Sequence, residues 1–289
     1  MIENVAAARP SIDEHPDMTQ AGRRVAPASA RGGPTFGRVL AAERIKLTSV
    51  SSTGWIAAGT VVAAVTLAFG LSLFVRPGSA TSGISLAVSG YLLAQLGMLV
   101  LGVLVGAGEF STGMSATTFA AVPRRLPVLG AQVLLTALVA LLTASVSLLA
   151  SILVTSCARG SSGLALNVTD PETVRVAVGF VLFLTGLAVL GVGVGALLRQ
   201  PGAALMAAVG LLLVADQLLA ANPGYVADTV RAVLPAGGAR MFADDAGLAA
   251  LAAGPGPNFG AWGGGLVLAA WMVAALVAAG YRLRWRDVT

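Results

Sequence analysis

The sequence predicts an all-α polytopic membrane protein: six transmembrane helices preceded by an amphipathic interfacial helix, with both termini in the cytoplasm. Three observations predict it. Of 289 residues, 56% are hydrophobic and 11% charged, and the mean hydropathy is +0.86; a soluble domain carries about a quarter of its residues as Asp, Glu, Lys and Arg. The charges are spaced to leave five windows with none, at 47–75, 77–108, 126–158, 176–198 and 246–281, and a sixth at 200–227 interrupted only by Asp216. The basic residues also fall unevenly between alternate connections, which sets the orientation.

Residues 1–34 are rich in Ala, Pro, Arg and Asp without an apolar period and read as a disordered cytoplasmic tail. No apolar h-region follows Met1, so the tail is not read as a signal peptide and the first span is expected to be retained. The transmembrane domain then covers 35–289. At 100° per residue Phe36, Val39, Leu40, Leu47 and Val50 gather on one side of a helix over 36–50, with Arg44 and Lys46 on its flanks. Such a helix lies in the inner interface. Glu43 falls within its apolar stripe. Taken as unpaired in its own helix, this carboxylate is costly to bury; either it draws a cation from elsewhere, with the Arg124/Arg125 pair as the candidate, or the helix rolls and Glu43 snorkels to water.

A helix needs about 20 mostly apolar residues to cross the hydrocarbon core, and trimming the windows gives spans near 55–75, 86–107, 128–153, 174–198, 203–221 and 261–281. Between the second and third, Glu109 is the first charge after Arg76 and marks the inner boundary. Ser111 or Thr112 can cap a short helix running to about Ala121, and Pro123, Arg124 and Arg125 end it, so 109–125 is a structured loop. The outer connection 222–260 is long and contains the apolar stretch VADTVRAVLPAGGARMF, which predicts a short re-entrant or interfacial helix pair. With the N-terminus inside, thirteen basic residues (Arg9, Arg23, Arg24, Arg31, Arg38, Arg44, Lys46, Arg124, Arg125, Arg199, Arg282, Arg284 and Arg286) face the cytoplasm and five (Arg76, Arg159, Arg175, Arg231 and Arg240) face outward. Trp55 and Trp285 at the inner boundary and Trp262 at the outer fit interfacial belts.

The polar residues exclude several chemistries. Lys46 is the sole lysine, and the residues before it, VLAAERI, hold no glycine, so no phosphate-cradling G-x-x-x-x-G-K-[ST] loop exists in this chain. Any ATP hydrolysis must come from a partner. His15 is the only histidine and sits in the polar tail, without the second histidine that a zinc site of the H-E-x-x-H kind requires. Cys157 is the only cysteine and cannot form an intramolecular disulfide.

The order of the remaining motifs carries a resemblance. An amphipathic helix ending E-x-x-K (Glu43, Lys46) precedes G-E-F-x-x-G (Gly108, Glu109, Phe110, Gly113), a short helix and a P-R-R stop (Pro123, Arg124, Arg125). Six spans, an enlarged last outer loop and a C-terminal R-D (Arg286, Asp287) complete the pattern, which resembles the type 2 ABC transporter permeases from Pro34 to the end. The resemblance implies that 112–122 is the coupling helix, docking into a separate ABC ATPase subunit through Glu109, Phe110, Thr112, Gly113, Arg124 and Arg125, and that 36–50 is the connecting helix. It implies a second permease subunit, identical or different, and a cell-membrane location. ATP and Mg would sit on the ATPase, leaving this chain with no cofactor, no metal and no catalytic residue of its own. It also implies export of an amphipathic or hydrophobic compound, such as a drug, a lipid or a peptide. No nucleic-acid partner is expected. Tyrosine is more usual at the position of Phe110, so any hydrogen bond from a hydroxyl there is missing.

Three features within the spans complete the candidates. Gly191, Gly193 and Gly195 mimic a nucleotide loop but lie inside an apolar span, so close helix packing of the small-xxx-small kind at Gly191 and Gly195 is the better reading, with Gly102 and Gly106 offering the same on the second helix. Asp216 is the only ionisable residue within a span, about five residues or roughly 8 Å from its outer end, where a hydrogen-bonded or water-reaching structural role outweighs a transport role. Gln95 can line a pathway or join helices. The alternative reading, an ion-coupled secondary transporter or a non-transport membrane protein, requires ionisable relays that one peripheral aspartate supplies poorly.

Overall fold

The computed structural model describes residues 35–49, 51–74, 82–111, 125–159 and 169–285, all in the unit Pro34–Thr289, save the side chains of Glu109, Ser111, Arg125, Ala158, Arg159 and Trp285. The 1–34 tail, Val50, residues 112–124, which include the expected coupling helix 112–122, and Arg286 and Asp287 lie outside the described residues. All regular structure among the described residues is helical. In order these are α1 (Phe36–Ser49), α2 (Ser51–Phe74), α3 (Gly83–Val88), α4 (Tyr91–Ser111), α5 (Arg125–Arg159), α6 (Pro171–Leu198), α7 (Pro201–Ala220), α8 (Tyr225–Val233), a 3₁₀ segment (Pro235–Phe242), α9 (Asp245–Ala252) and α10 (Gly260–Trp285). Six of them, α2, α4, α5, α6, α7 and α10, are long and apolar enough to cross a bilayer, the signature of a multi-pass membrane protein.

The second span departs from expectation at its start. It begins at Tyr91 rather than near Leu86, because Ser89 and Gly90 turn the chain and leave Gly83–Val88 as a separate short helix, capped by the Ser82 hydroxyl accepting from the Ser85 N–H at 3.3 Å. The turn sits at a close approach to α2. A methyl group on Gly90 would collide with the Ala64 carbonyl of α2, so the chain passes closer there than any larger residue permits.

Lipid offers no hydrophobic reward for bringing two apolar helices together, so association depends on small residues that admit close van der Waals contact. The most extensive pairing in the bundle, α4 with α6, is built this way. A Cβ on Gly102 would collide with the Ala188 carbonyl and one on Gly106 with that of Val192. Reciprocally, a Cβ on Gly191 would come within 3.0 Å of the Leu99 carbonyl and one on Gly195 within 2.7 Å of that of Val103. The two backbones therefore interlock over two turns on each side, and the packing read from Gly102, Gly106, Gly191 and Gly195 is the packing found. Gly193 points the other way, where a Cβ would meet Ala275 of α10 at 2.9 Å.

This seam makes α6 the central helix. Two-thirds of its apolar window (67%) is buried inside the chain, against 17% for α7 and 22% for α2 and α10, so those outer helices lie at the periphery of the bundle. Val176, Phe180, Phe183, Leu184 and Leu187 carry the core, joined by Met98 and Leu99 of α4 and Leu268 of α10.

Helix α7 is not uniform. Pro201 occupies its first turn, where no N–H partner is lost, and Gly210–Val214 forms a π-helical turn. Its buried side chains are Ala204, Ala208 and Leu212, four apart. In an unbroken α-helix that row drifts by about 40° a step, leaving Asp216 about 120° around from Ala204. The π turn winds less per residue and takes back much of the drift, so Asp216 stays half-buried on the side facing the bundle.

The α4–α6 seam generates a test. Gly102→Leu drives a side chain into a backbone carbonyl and is expected to destabilise by at least about 3 kcal/mol, the upper end for overpacking, read as a lowered midpoint of thermal unfolding in detergent. Gly59→Leu, where a Cβ meets nothing within 4 Å, is expected to leave the midpoint within about 0.5 kcal/mol of the parent.

Candidate functional site: one groove and one cavity at opposite ends of the bundle

At one end, α1 lies against α5. Val39 packs with Val128 and Ala131, and Leu40 joins them. Val39 and Glu43 are the buried residues of α1, Leu40 and Leu47 are half-buried, and Phe36 is exposed, so the apolar stripe is narrower than its periodicity suggested. Glu43 remains buried and does not roll out to water. Its carboxylate accepts from the Lys46 ammonium at 2.7 Å, an i,i+3 pair within the helix itself. The expectation that its cation must come from another element is therefore corrected: three residues is one helical turn, which puts Lys46 beside Glu43. The proposed Arg124 and Arg125 partners fall outside the described side chains.

Glu43 and Lys46 line an apolar groove of about 510 Å³ together with Ile56 of α2, Leu104 and Gly108 of α4 and Gln132 of α5. Two motifs far apart in sequence, E-x-x-K and the first glycine of G-E-F-x-x-G, thus border one groove. Gln132 was not anticipated. It opens a polar row on the buried face of α5, continued by Thr136, Thr143, Ser147, Ser151 and Thr155. Several of these hydroxyls donate back to their own helix, Thr143 to the Val139 carbonyl at 2.8 Å, Ser147 to that of Thr143 at 2.8 Å and Thr155 to that of Ser151 at 2.7 Å. The signal was present as a recurring four-residue spacing of Ser, Thr and Gln, which a search for charges passes over.

Phe110, next in the motif, stacks under the Arg199 guanidinium, 5.1 Å from ring centroid to Cζ. Arg199 ends α6 in the left-handed region, with φ 60°, and its N–H caps the Gly195 carbonyl at 2.8 Å. It also donates to the Arg282 carbonyl of α10 at 3.4 Å, while Arg282 donates to the Leu197 carbonyl. The ring that lacks a hydroxyl therefore binds through its π face, and the ends of α4, α6 and α10 are tied through Arg199. Glu109's side chain, Thr112, Gly113 and Arg124, expected in the same motif, lie outside the described residues.

At the opposite end, the connection between α7 and α10 turns back into the bundle. The Trp271 indole N–H donates to the Val233 carbonyl at 2.8 Å, although Trp271 lies eleven residues into α10, roughly 16 Å from its start. Phe242 anchors the 3₁₀ segment among Tyr91, Phe183 and Phe180, with centroids at 4.9, 5.2 and 5.9 Å. A Cβ on Gly179 would strike the Met241 backbone, so α6 admits the segment only where it has no side chain. The Arg175 guanidinium grips the start of α9, reaching Asp245 at 2.8 Å and the Ala243 carbonyl at 2.9 Å.

This arrangement borders a half-open cavity of about 550 Å³ lined by Tyr91, Asp216, Asp228, Arg231, Arg240 and Asp244 among others. Asp216, the carboxylate within the apolar window of α7, accepts from Arg231 Nε at 3.0 Å. Asp244 caps α9, accepting from the Gly247 N–H at 2.8 Å. Burial holds the Arg240 guanidinium below its usual value and the charge of Arg231 adds to this, while Asp216 and Asp228 oppose it. Gln95 is buried in α4 and lines neither this cavity nor the groove, which fits a packing residue. Among the described residues no group of three His, Cys, Asp or Glu side chains could hold a metal ion.

Two outcomes follow. Phe110→Tyr keeps the ring and is expected to unfold within about 0.5 kcal/mol of the parent, whereas Phe110→Leu loses the cation–π contact and about 1 kcal/mol, measured by thermal unfolding in detergent. Because the Asp216–Arg231 pair is partly exposed, a double-mutant cycle with Asp216→Asn and Arg231→Gln is expected to give a coupling of no more than about 1 kcal/mol.

No family model matches the chain, and no curated protein or solved structure matches it either.

Proposed function

We propose that this chain is the membrane-spanning subunit of an ATP-driven exporter, working with a separate ABC ATPase and paired with a second permease subunit. What carries the reading is the convergence of its motifs: the Glu43–Lys46 turn of α1 and Gly108 of the G-E-F motif border one groove at the end of the bundle where α4 hands the chain to residues 112–122. The absence of a P-loop supports it, since ATP can reach this chain only through a partner. In this reading α1 is the connecting helix in the inner interface and 112–122 is the coupling helix. A push on that segment passes through Phe110 and Arg199 to the ends of α6 and α10. ATP changes access to the path only by differing in affinity for the two states. The apolar faces of α2, α7 and α10 suit an amphipathic or hydrophobic cargo. The ion-coupled alternative calls for a relay of ionisable side chains across the spans, and the α7 window offers only Asp216, near its outer end and engaged by Arg231.

Orientation has a built-in probe. Cys157, the only cysteine, is exposed at the end of α5 remote from α1. With both termini cytoplasmic, a membrane-impermeant maleimide is expected to label it in intact cells; labelling only after permeabilisation reverses the topology. For coupling, the chain co-expressed with a P-loop ATPase encoded beside it is expected to co-purify with that ATPase and to transport only with ATP. Replacing 112–122 by a Gly-Ser linker is expected to abolish co-purification while leaving the unfolding midpoint unchanged. Failure of the intact chain to bind any such ATPase ends the proposal.

A further inference from the structure

The cavity remote from α1 holds five charged side chains, and their partners are unequal. Asp216 and Arg231 neutralise one another at 3.0 Å, and Asp244 is engaged by the Gly247 N–H. Two are left. The Arg240 guanidinium makes a single hydrogen bond, to the Pro257 carbonyl at 3.5 Å, and the Asp228 carboxylate makes neither a hydrogen bond nor an ion pair among the described residues. Both are half-buried, so neither is simply a solvated surface charge. A guanidinium presents five donors in a planar fork that matches an oxyanion, while a carboxylate accepts from an ammonium. The enclosing elements fix the pair: Arg240 rides on the 3₁₀ segment anchored by Phe242, and Asp228 on α8 packs its Cβ where a Cβ on Gly256 would come within 2.7 Å. Val88, Ala239, Phe242 and Leu251 supply an apolar wall beside them. The volume, about 550 Å³, lies within the usual range for small-molecule sites.

We propose that this cavity binds a zwitterion of zero net charge, with its phosphate or carboxylate oxygens on Arg240 and its ammonium on Asp228. Arg240 and Asp228 attract one another without touching, and a ligand with only one of the two charges would pair with one side chain and weaken that attraction for the other. The same chemistry occurs in a phosphoethanolamine lipid head group and in a free small zwitterion. The proposal concerns binding and does not depend on ATP coupling, so it is testable without an ATPase.

The experiment is isothermal titration of the purified full chain in a non-ionic detergent. The probes are glycerophosphoethanolamine, lysophosphatidylethanolamine and glycerophosphoglycerol, the last carrying the anion without the ammonium. Saturable binding of glycerophosphoethanolamine is expected, with glycerophosphoglycerol at least tenfold weaker. Arg240→Ala is expected to weaken the zwitterion at least tenfold. Asp228→Asn is expected to weaken it similarly while leaving glycerophosphoglycerol within twofold. If Arg240→Ala does not fold, Arg240→Lys, which keeps the charge and loses the fork, is expected to weaken binding several-fold with an unchanged melting profile. A lysolipid that binds a hundredfold more tightly than the soluble head group identifies the source as a bilayer lipid; equal affinities identify a free small zwitterion. Absence of saturable binding by both zwitterions, or unchanged affinities in folded Arg240 and Asp228 variants, overturns the proposal.

Discussion

Close approach of α4 and α6 is the constraint on which the rest of this bundle depends. In water, burying the apolar side chains of α6 would itself drive assembly, but in lipid the tails are as apolar as leucine and that drive is absent. What remains is contact, and contact is closest where Gly102, Gly106, Gly191 and Gly195 remove the side chains that would hold two backbones apart. Once α6 is held there, its other faces become available to α5 and α10, and the chain between α7 and α10 finds a slot beside Gly179. The groove and the cavity are the spaces left at the two ends of this arrangement.

The two ends differ in how they are made. Beside α1, helix ends are tied by backbone caps, a cation–π contact and an ion pair one helical turn long. At the other end, an inserted segment is wedged by aromatic rings and by arginines that reach across elements. Arg199 accepts an unfavourable left-handed backbone, typically costing on the order of 1–3 kcal/mol, at the two-residue link between α6 and α7. With so short a link, the Phe110–Arg199 contact lies where α6 hands the chain to α7.

Much of this was legible in the amino-acid sequence because lipid makes charge informative. Uncharged windows located the six long helices, and glycines spaced by four inside them located the seam. The start of α4 was less legible, since Leu86–Val88 is as apolar as the helix it precedes and only the turn at Ser89–Gly90, where glycine admits the Ala64 carbonyl, separates them. The Glu43–Lys46 pair was legible and was overlooked through its spacing. The charged cavity was not, because Tyr91, Asp216, Asp228, Arg231 and Arg240 come from four elements and meet only after the segment following α7 turns inward. The polar row of α5 escaped for a different reason: hydroxyls that bond to their own helix raise no alarm in hydropathy.

The π turn of α7 places a requirement on the chain that composition does not reveal. Leu211, Leu213 and Val214 are interchangeable in kind, and one apolar residue there serves lipid as well as another. Their number is not interchangeable. Removing one residue would restore ordinary winding and leave Asp216 about 20° around from Ala204, still toward Arg231, whereas adding one would swing it about 100° further around. Over Gly210–Val214 the helix therefore tolerates substitution, and a one-residue deletion that closes the wide turn, better than an insertion, which carries Asp216 off the face that Ala204 and Ala208 bury.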